Sequence, residues 1–180
     1  MEYSFTDVVK MAGHACPTVS GALICCQKAL RVLYPDDEIP VRGEISIIVY
    51  GEPDEEVYGV IGQVFSFLTG AAPATGFRGL GHKFNRKDLL KFLPEKPDHE
   101  AMSFEFKRVD NGKSVLVKYY PQKIPQPEEN TIRLSRLLEK VLWEAAKEKE
   151  KNEFRGLWME KVHNVLLEKG IDDWIVLELK

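Results

Sequence analysis

Residues 102–120 read MSFEFKRVDNGKSVLVKYY. Apolar and polar side chains alternate on both sides of Asp110-Asn111-Gly112. Successive strand residues point to opposite faces, so this period of two marks a sheet with one covered face. Asn-Gly between two such runs is a strong hairpin signal, since that pair tolerates the positive φ of a tight turn. An antiparallel pair is therefore expected at the centre of the chain, and the flanking segments must cover it.

Upstream, residues 4–12 read as a short helix ending at Gly13. Pro17 suits the first turn of a second helix over 17–34, PTVSGALICCQKALRVLY. Its apolar residues at 19, 22, 23, 26, 29, 30 and 33 have helical spacing and predict a central buried helix, ended by Pro35, Asp36 and Asp37. Gly21 and Ala22 would let another backbone come close. VRGEISIIVY, 41–50, reads as a strand. Residues 54–69 read as a helix that opens with acids and stops at Gly70, a natural C-cap. Glycines at 70, 76, 79 and 81 with Pro73 make residues 70–88 a loop, and 86–93 a possible short helix. Residues 94–100 connect it to the hairpin.

Downstream, the proline-rich stretch 121–130 leads into a long amphipathic helix, 131–154. A second helical piece, 157–169, follows Gly156, and DDWIVLELK reads as a terminal strand. The expected fold class is α+β: a mixed or antiparallel sheet packed with helices, with a helical C-terminal part. Residues 1–125 form the α+β domain. Residues 126–180 form a helical extension ending in a strand and packed on the same domain.

At 180 residues the chain can bury a full core. Hydrophobic residues at 44% and charged residues at 29% fit a globular protein, and a net charge of -3 gives no reason to expect nucleic acid or an anionic membrane. The mixed, acidic start MEYSFTDVVK predicts no secretory signal, and no apolar run reaches the ~18 residues of a bilayer span. A cytoplasmic location is expected. Cys16, Cys25 and Cys26 are odd in number, and the adjacent pair points to different sides of a helix, so a disulfide scaffold is not expected. Cys25 and Cys26 read as core residues.

AGHACP, residues 12–17, carries the first candidate chemistry. Cys16 precedes a helix N-terminus, whose dipole favours a thiolate, the form that binds metal or attacks. His14 can turn its imidazole to the same point, and zinc takes such N and S donors. The plain alternative is a buried cysteine beside a histidine that holds a turn. His82, in the glycine loop, is the best third ligand. Arg78 and Lys83, among free backbone N–H groups, suit an anionic ligand. The loop is neither a P-loop nor a dinucleotide fingerprint, for it lacks GK[ST] and follows a helix.

Together these residues resemble the FmdE-like family, which takes its name from a component of formylmethanofuran dehydrogenase. The matching pieces are Gly13-His14-Ala15-Cys16-Pro17, the helix to Tyr34, the strand at 41–50, the helix from Val57 to Leu68, and the loop from Thr69-Gly70. The match covers residues 5–92. It implies a divalent metal, usually zinc, held by the histidine and cysteine of GHxCP, and an α+β fold that dimerises. It also suggests a link to one-carbon metabolism and molybdenum or tungsten enzymes. Members carry a loop cysteine in Gly-Cys-Thr, whereas this chain has Gly70-Ala71-Ala72. The metal set would then be His14, Cys16 and His82. A metal-bound water would act as base or nucleophile, and Arg78 or Lys83 would hold a small anionic ligand. Two alternatives use the same residues: a non-catalytic accessory protein with a protein partner, and a thiol-based protein in which Cys16 reacts and His14 is its base. A homodimer is expected from the buried helix and from the apolar stripe Ile132, Leu134, Leu137, Leu138, Val141 and Leu142.

Overall fold

A computed structural model describes residues 1–35, 38–81 and 83–180. The expected helix stop at Asp36 and Asp37 therefore lies outside the described residues, as does His82.

The chain begins with helix α1 (Phe5–Ala12), whose Ser4 and Asp7 form a capping box and whose Gly13 closes the end at φ 80°. Helix α2 (Pro17–Leu33) follows, then strand β1 (Ile45–Tyr50) and helix α3 (Tyr58–Thr69), closed by Gly70 at φ 79°. Asp54, Glu55 and Glu56 precede α3 instead of forming its first turn. Strand β2 (Leu90–Leu93) and the hairpin β3 (Met102–Arg108) and β4 (Ser114–Tyr119) complete the central part.

The five-stranded sheet runs β2-β1-β3-β4-β5, with β5 at Ile175–Leu179. Only β1 and β2 pair in parallel; the other neighbours are antiparallel. This is an α+β fold with a mixed sheet. The alternation in β1 buries Ile45, Ile47 and Val49, which face the same side as Phe104, Phe106, Val115 and Val117. On that side α2 touches α1, α3, α5, β3 and β4, making it the hub of the core.

The opposite sheet face is polar at its centre. Tyr50 donates to Glu105 at 3.2 Å, Lys180 reaches the same carboxylate at 3.0 Å, and Lys118 pairs with Glu178 at 2.6 Å.

Two expectations are corrected. Residues 90–93 are a strand, not part of a helix over 86–93. The apolar positions 89, 90, 92 and 93 fit either state over so short a run. Pairing decides it: Leu90 sits opposite Ile47, and Phe92 packs against Gly62 of α3, where an added Cβ would come within 2.7 Å of the ring. Second, the long helix breaks earlier than Gly156. Helix α4 (Glu128–Leu142) ends in a turn at Glu144, φ 55°, and helix α5 (Glu148–Leu166) runs straight through Gly156. No glycine or proline marks the turn. The two helices fold back because Leu134 and Leu137 are buried and Arg133 forms a two-bonded pair with Glu153, both contacts at 2.6 Å.

The C-terminal segment is built into the same core. Helix α5 packs on α2, and after the short helix α6 (Ile171–Trp174) the chain pairs as β5 with β4. Val165, Trp174 and Ile175 belong to the central apolar cluster.

Candidate functional site

Helix α2 starts at Cys16. Its extended backbone, φ -148° and ψ 164°, makes it the N-cap, and its Sγ accepts the Val19 N–H at 3.4 Å. Ser20 anchors the same turn by donating to the Cys16 carbonyl at 3.1 Å. The sulfur is thus drawn inward, and Cys16 is buried. His14 is exposed, with Nδ1 3.2 Å from the Ala12 carbonyl. No hydrogen bond joins His14 to Cys16 among the described residues.

Arg78 and Lys83 are exposed. Leu80 and Lys83 form a two-way bridge, at 2.9 and 3.2 Å, that closes a tight turn in the loop. Lys83 lines a cavity with Gly43, Glu44 and Val109, beside the start of β1 and the end of β3. The head of α2 faces the other end of the sheet, at Met102 and Tyr119. Lys83 and the GHxCP segment therefore serve different ends of the fold.

A different group of residues meets at the head of α2. A cavity of about 270 Å³ lies between α2, α3, the sheet and α5. Thr18 lines it from α2, Met102 and Tyr119 from the paired ends of β3 and β4, and Trp158 and Lys161 from α5. Glu56, exposed and at φ 48°, stands at its edge. There the cavity meets a second one of about 610 Å³, which also contains Lys96, His99 and Lys123.

Each side chain has a local reason for its place. Trp158 is fixed by its indole N–H, which donates to the Ala15 carbonyl at 3.1 Å and ties α5 to the GHxCP turn. Lys161 follows three residues later, so it lies on the same helix face. Tyr119 reaches the cavity because Gly21 has no side chain: a Cβ there would lie 2.3 Å from the phenol oxygen. Gly21 thus makes room for a ring, where a backbone was expected. Tyr119 is 2% exposed, and burial, with Cys25 and Cys16 nearby, pushes its pKa up and keeps the phenol protonated.

Burial also lowers the pKa of Lys161, since a half-buried ammonium loses hydration. No ion pair satisfies Lys161 among the described residues, and Glu56 does not come within salt-bridge distance. Periodicity could not have found this site. Lys161 lies between apolar Trp158 and Val162 on a charged helix and reads as an ordinary boundary residue.

Cys25 and Cys26 are fully buried in α2. Burial raises both thiols, Cys25 also through its neighbour Cys26, and Cys26 is pushed up to about 12. In the unfolded chain these thiols ionise near the ordinary value of 9.0. Above that pH the unfolded state has fewer protons than the folded state, so stability falls as pH rises. The expected slope is up to about 1.4 kcal/mol per pH unit for each thiol. Urea unfolding at pH 8 to 11 measures it, and a Cys25→Ala, Cys26→Ala double variant should show a shallower decline.

Among the described residues, no three His, Cys, Asp or Glu side chains come together as a metal site. His14 and Cys16 are two donors, while zinc sites use three or four. The described donor set thus does not by itself fit a metal. No helix among the described residues is long and apolar enough to cross a membrane. No known family model matches the sequence, and no curated protein matches it. What the fold and cavity define is an α+β domain with a small, largely apolar cleft at a helix N-terminus.

Proposed function

We propose that this chain binds a small anionic molecule in the cleft at the head of α2. The supporting observation is Lys161, a cation that lines an apolar cavity with no ion-pair partner among the described residues. A desolvated ammonium is unfavourable until an anion accompanies it, so this arrangement favours a negatively charged occupant. The helix end adds to the preference. Pro17 has no N–H and Val19 donates to Cys16, so Thr18 keeps a first-turn N–H at the positive end of the dipole.

A thermal-shift series with formate, acetate, glyoxylate and phosphate tests this reading. One of these anions should raise the unfolding midpoint in wild type, and Lys161→Met should abolish the rise. At 100 times the Kd the expected stabilisation is about 2.7 kcal/mol. Identical shifts in both proteins would reject the cleft as the binding site.

A second reading follows from the FmdE-like resemblance. Here His14 and Cys16 would be two ligands of a divalent ion, zinc by donor type, with His82 or a residue from a second copy as the third. It is supported by the closeness of the two donors in the turn before α2, and by the Ala12 contact engaging Nδ1 of His14 rather than Nε2. A homodimer, a cytoplasmic setting and a role beside a one-carbon molybdenum or tungsten enzyme, as enzyme or accessory partner, belong to this reading. Metal content of untagged protein decides it: about one ion per chain, lost in His14→Ala and Cys16→Ala, would support it, and a metal-free wild type would reject it. The thiol reading has less support, because Cys16 Sγ is turned into the helix and away from any pairing with His14.

A further inference from the structure

We infer that Lys161 is a carbonyl-capturing lysine, and that the molecule bound beside it is a small oxo-acid whose aldehyde or ketone carbon forms an imine with Nζ. This rests on the proposed anion-binding role of the cleft and names its ligand class.

Three features of the site point to this chemistry. First, Lys161 lines a mostly apolar cavity and has no ion-pair partner among the described residues. An amine attacks a carbonyl only as the free base, and desolvation increases the free-base fraction near neutral pH. An ion pair with a protein carboxylate would do the opposite. Glu56, an acid lining the cavity, stays outside bonding distance at the edge. Second, Tyr119 is buried, lines the same cavity, and keeps its proton, so it can donate a hydrogen bond to a carbonyl oxygen. Third, Thr18 at the head of α2 and Lys161 on α5 line the same cleft from different elements. The Thr18 N–H end of α2 suits a carboxylate, and the amine suits the carbonyl.

The step balances without a further reactant. The Nζ lone pair attacks the carbonyl carbon and forms a C–N bond, giving a carbinolamine. The C–O bond then breaks, and the oxygen leaves as water with the two protons that began on Nζ. A neutral amine and a carbonyl thus become an imine and water, and nothing is oxidised or reduced.

Borohydride trapping tests the inference on the full chain. Wild-type protein is incubated with glyoxylate or pyruvate, reduced, and examined by intact and peptide mass spectrometry. One reduced adduct per chain at Lys161, absent from Lys161→Met and suppressed by excess acetate, is the expected result. Adducts spread evenly over surface lysines would overturn it, as would no adduct. The thermal-shift series separates the two ideas. No adduct together with an acetate shift that depends on Lys161 would leave anion binding standing and remove the imine. Loss of both would remove both. Because Lys161→Met could disturb packing, Lys161→Arg is run beside it. It keeps the positive charge and the anion shift but cannot form an imine, so trapping must vanish there too.

Discussion

Replacing Trp174 with alanine is expected to lower the unfolding free energy by about 3–5 kcal/mol, the range for a buried tryptophan whose cavity cannot collapse. Trp174 is fully buried and among the largest side chains in the core. Its indole N–H donates to the Lys169 carbonyl at 2.8 Å, and its ring meets Tyr119 edge-on at 6.0 Å. Its own carbonyl accepts the Tyr120 N–H at 2.9 Å, where β4 ends. One residue thus fastens α6 and β5 to the sheet and steadies the phenol that lines the cleft. Equilibrium denaturation in guanidinium gives the loss directly. A loss below about 1 kcal/mol would mean that the last ten residues dock without this anchor. Anion shifts in the surviving folded protein should also weaken, because Tyr119 loses its backing ring.

Phe65→Ala is the second large effect, again about 3–5 kcal/mol. Phe65 projects from α3 onto the sheet, where it meets Phe104 at 5.0 Å and Phe106 at 4.9 Å, both edge-to-face. Such pairs contribute about 0.5–1.5 kcal/mol beyond the area they bury. Phe65→Leu keeps most of the apolar volume but loses both ring contacts, so a smaller loss of roughly 1–2 kcal/mol is expected. Equal losses in the two variants would show that ring geometry, not cavity formation, sets the cost. Ile61 lies one turn earlier on α3 and lines the cleft, so slackening of α3 in Phe65→Ala should also weaken anion binding.

Much of the framework was legible because local signals agreed with the fold. Gly13, Pro17 and Gly70 are caps or helix starts where their chemistry suggests. The hairpin at Asp110-Asn111-Gly112 formed as its alternation predicts, with Gly112 at φ 78°. The apolar stripe of α4 was legible only as a stripe. Leu134 and Leu137 are buried within their own chain, with α5 folded back along α4, while Ile132 and Leu142 remain exposed. A stripe shows that a helix has a partner and leaves open which one.

The sequence by itself determined the elements whose causes lie within a few residues: capped helices, an alternating hairpin, a central apolar helix, and a cysteine at a helix head. Tertiary structure decided what depends on distant neighbours. Leu90–Leu93 became a strand because β1 offered an open edge. The α4–α5 turn arose where ion pairs and buried leucines made folding back favourable, with no breaker residue to announce it. The cleft was the least legible feature. It joins Thr18, Tyr119 and Lys161, which are far apart in sequence, and it depends on a glycine that leaves room for one ring. Desolvation of Lys161 is a property of the walls around it, and those walls exist only once α2, α5 and the sheet have packed together.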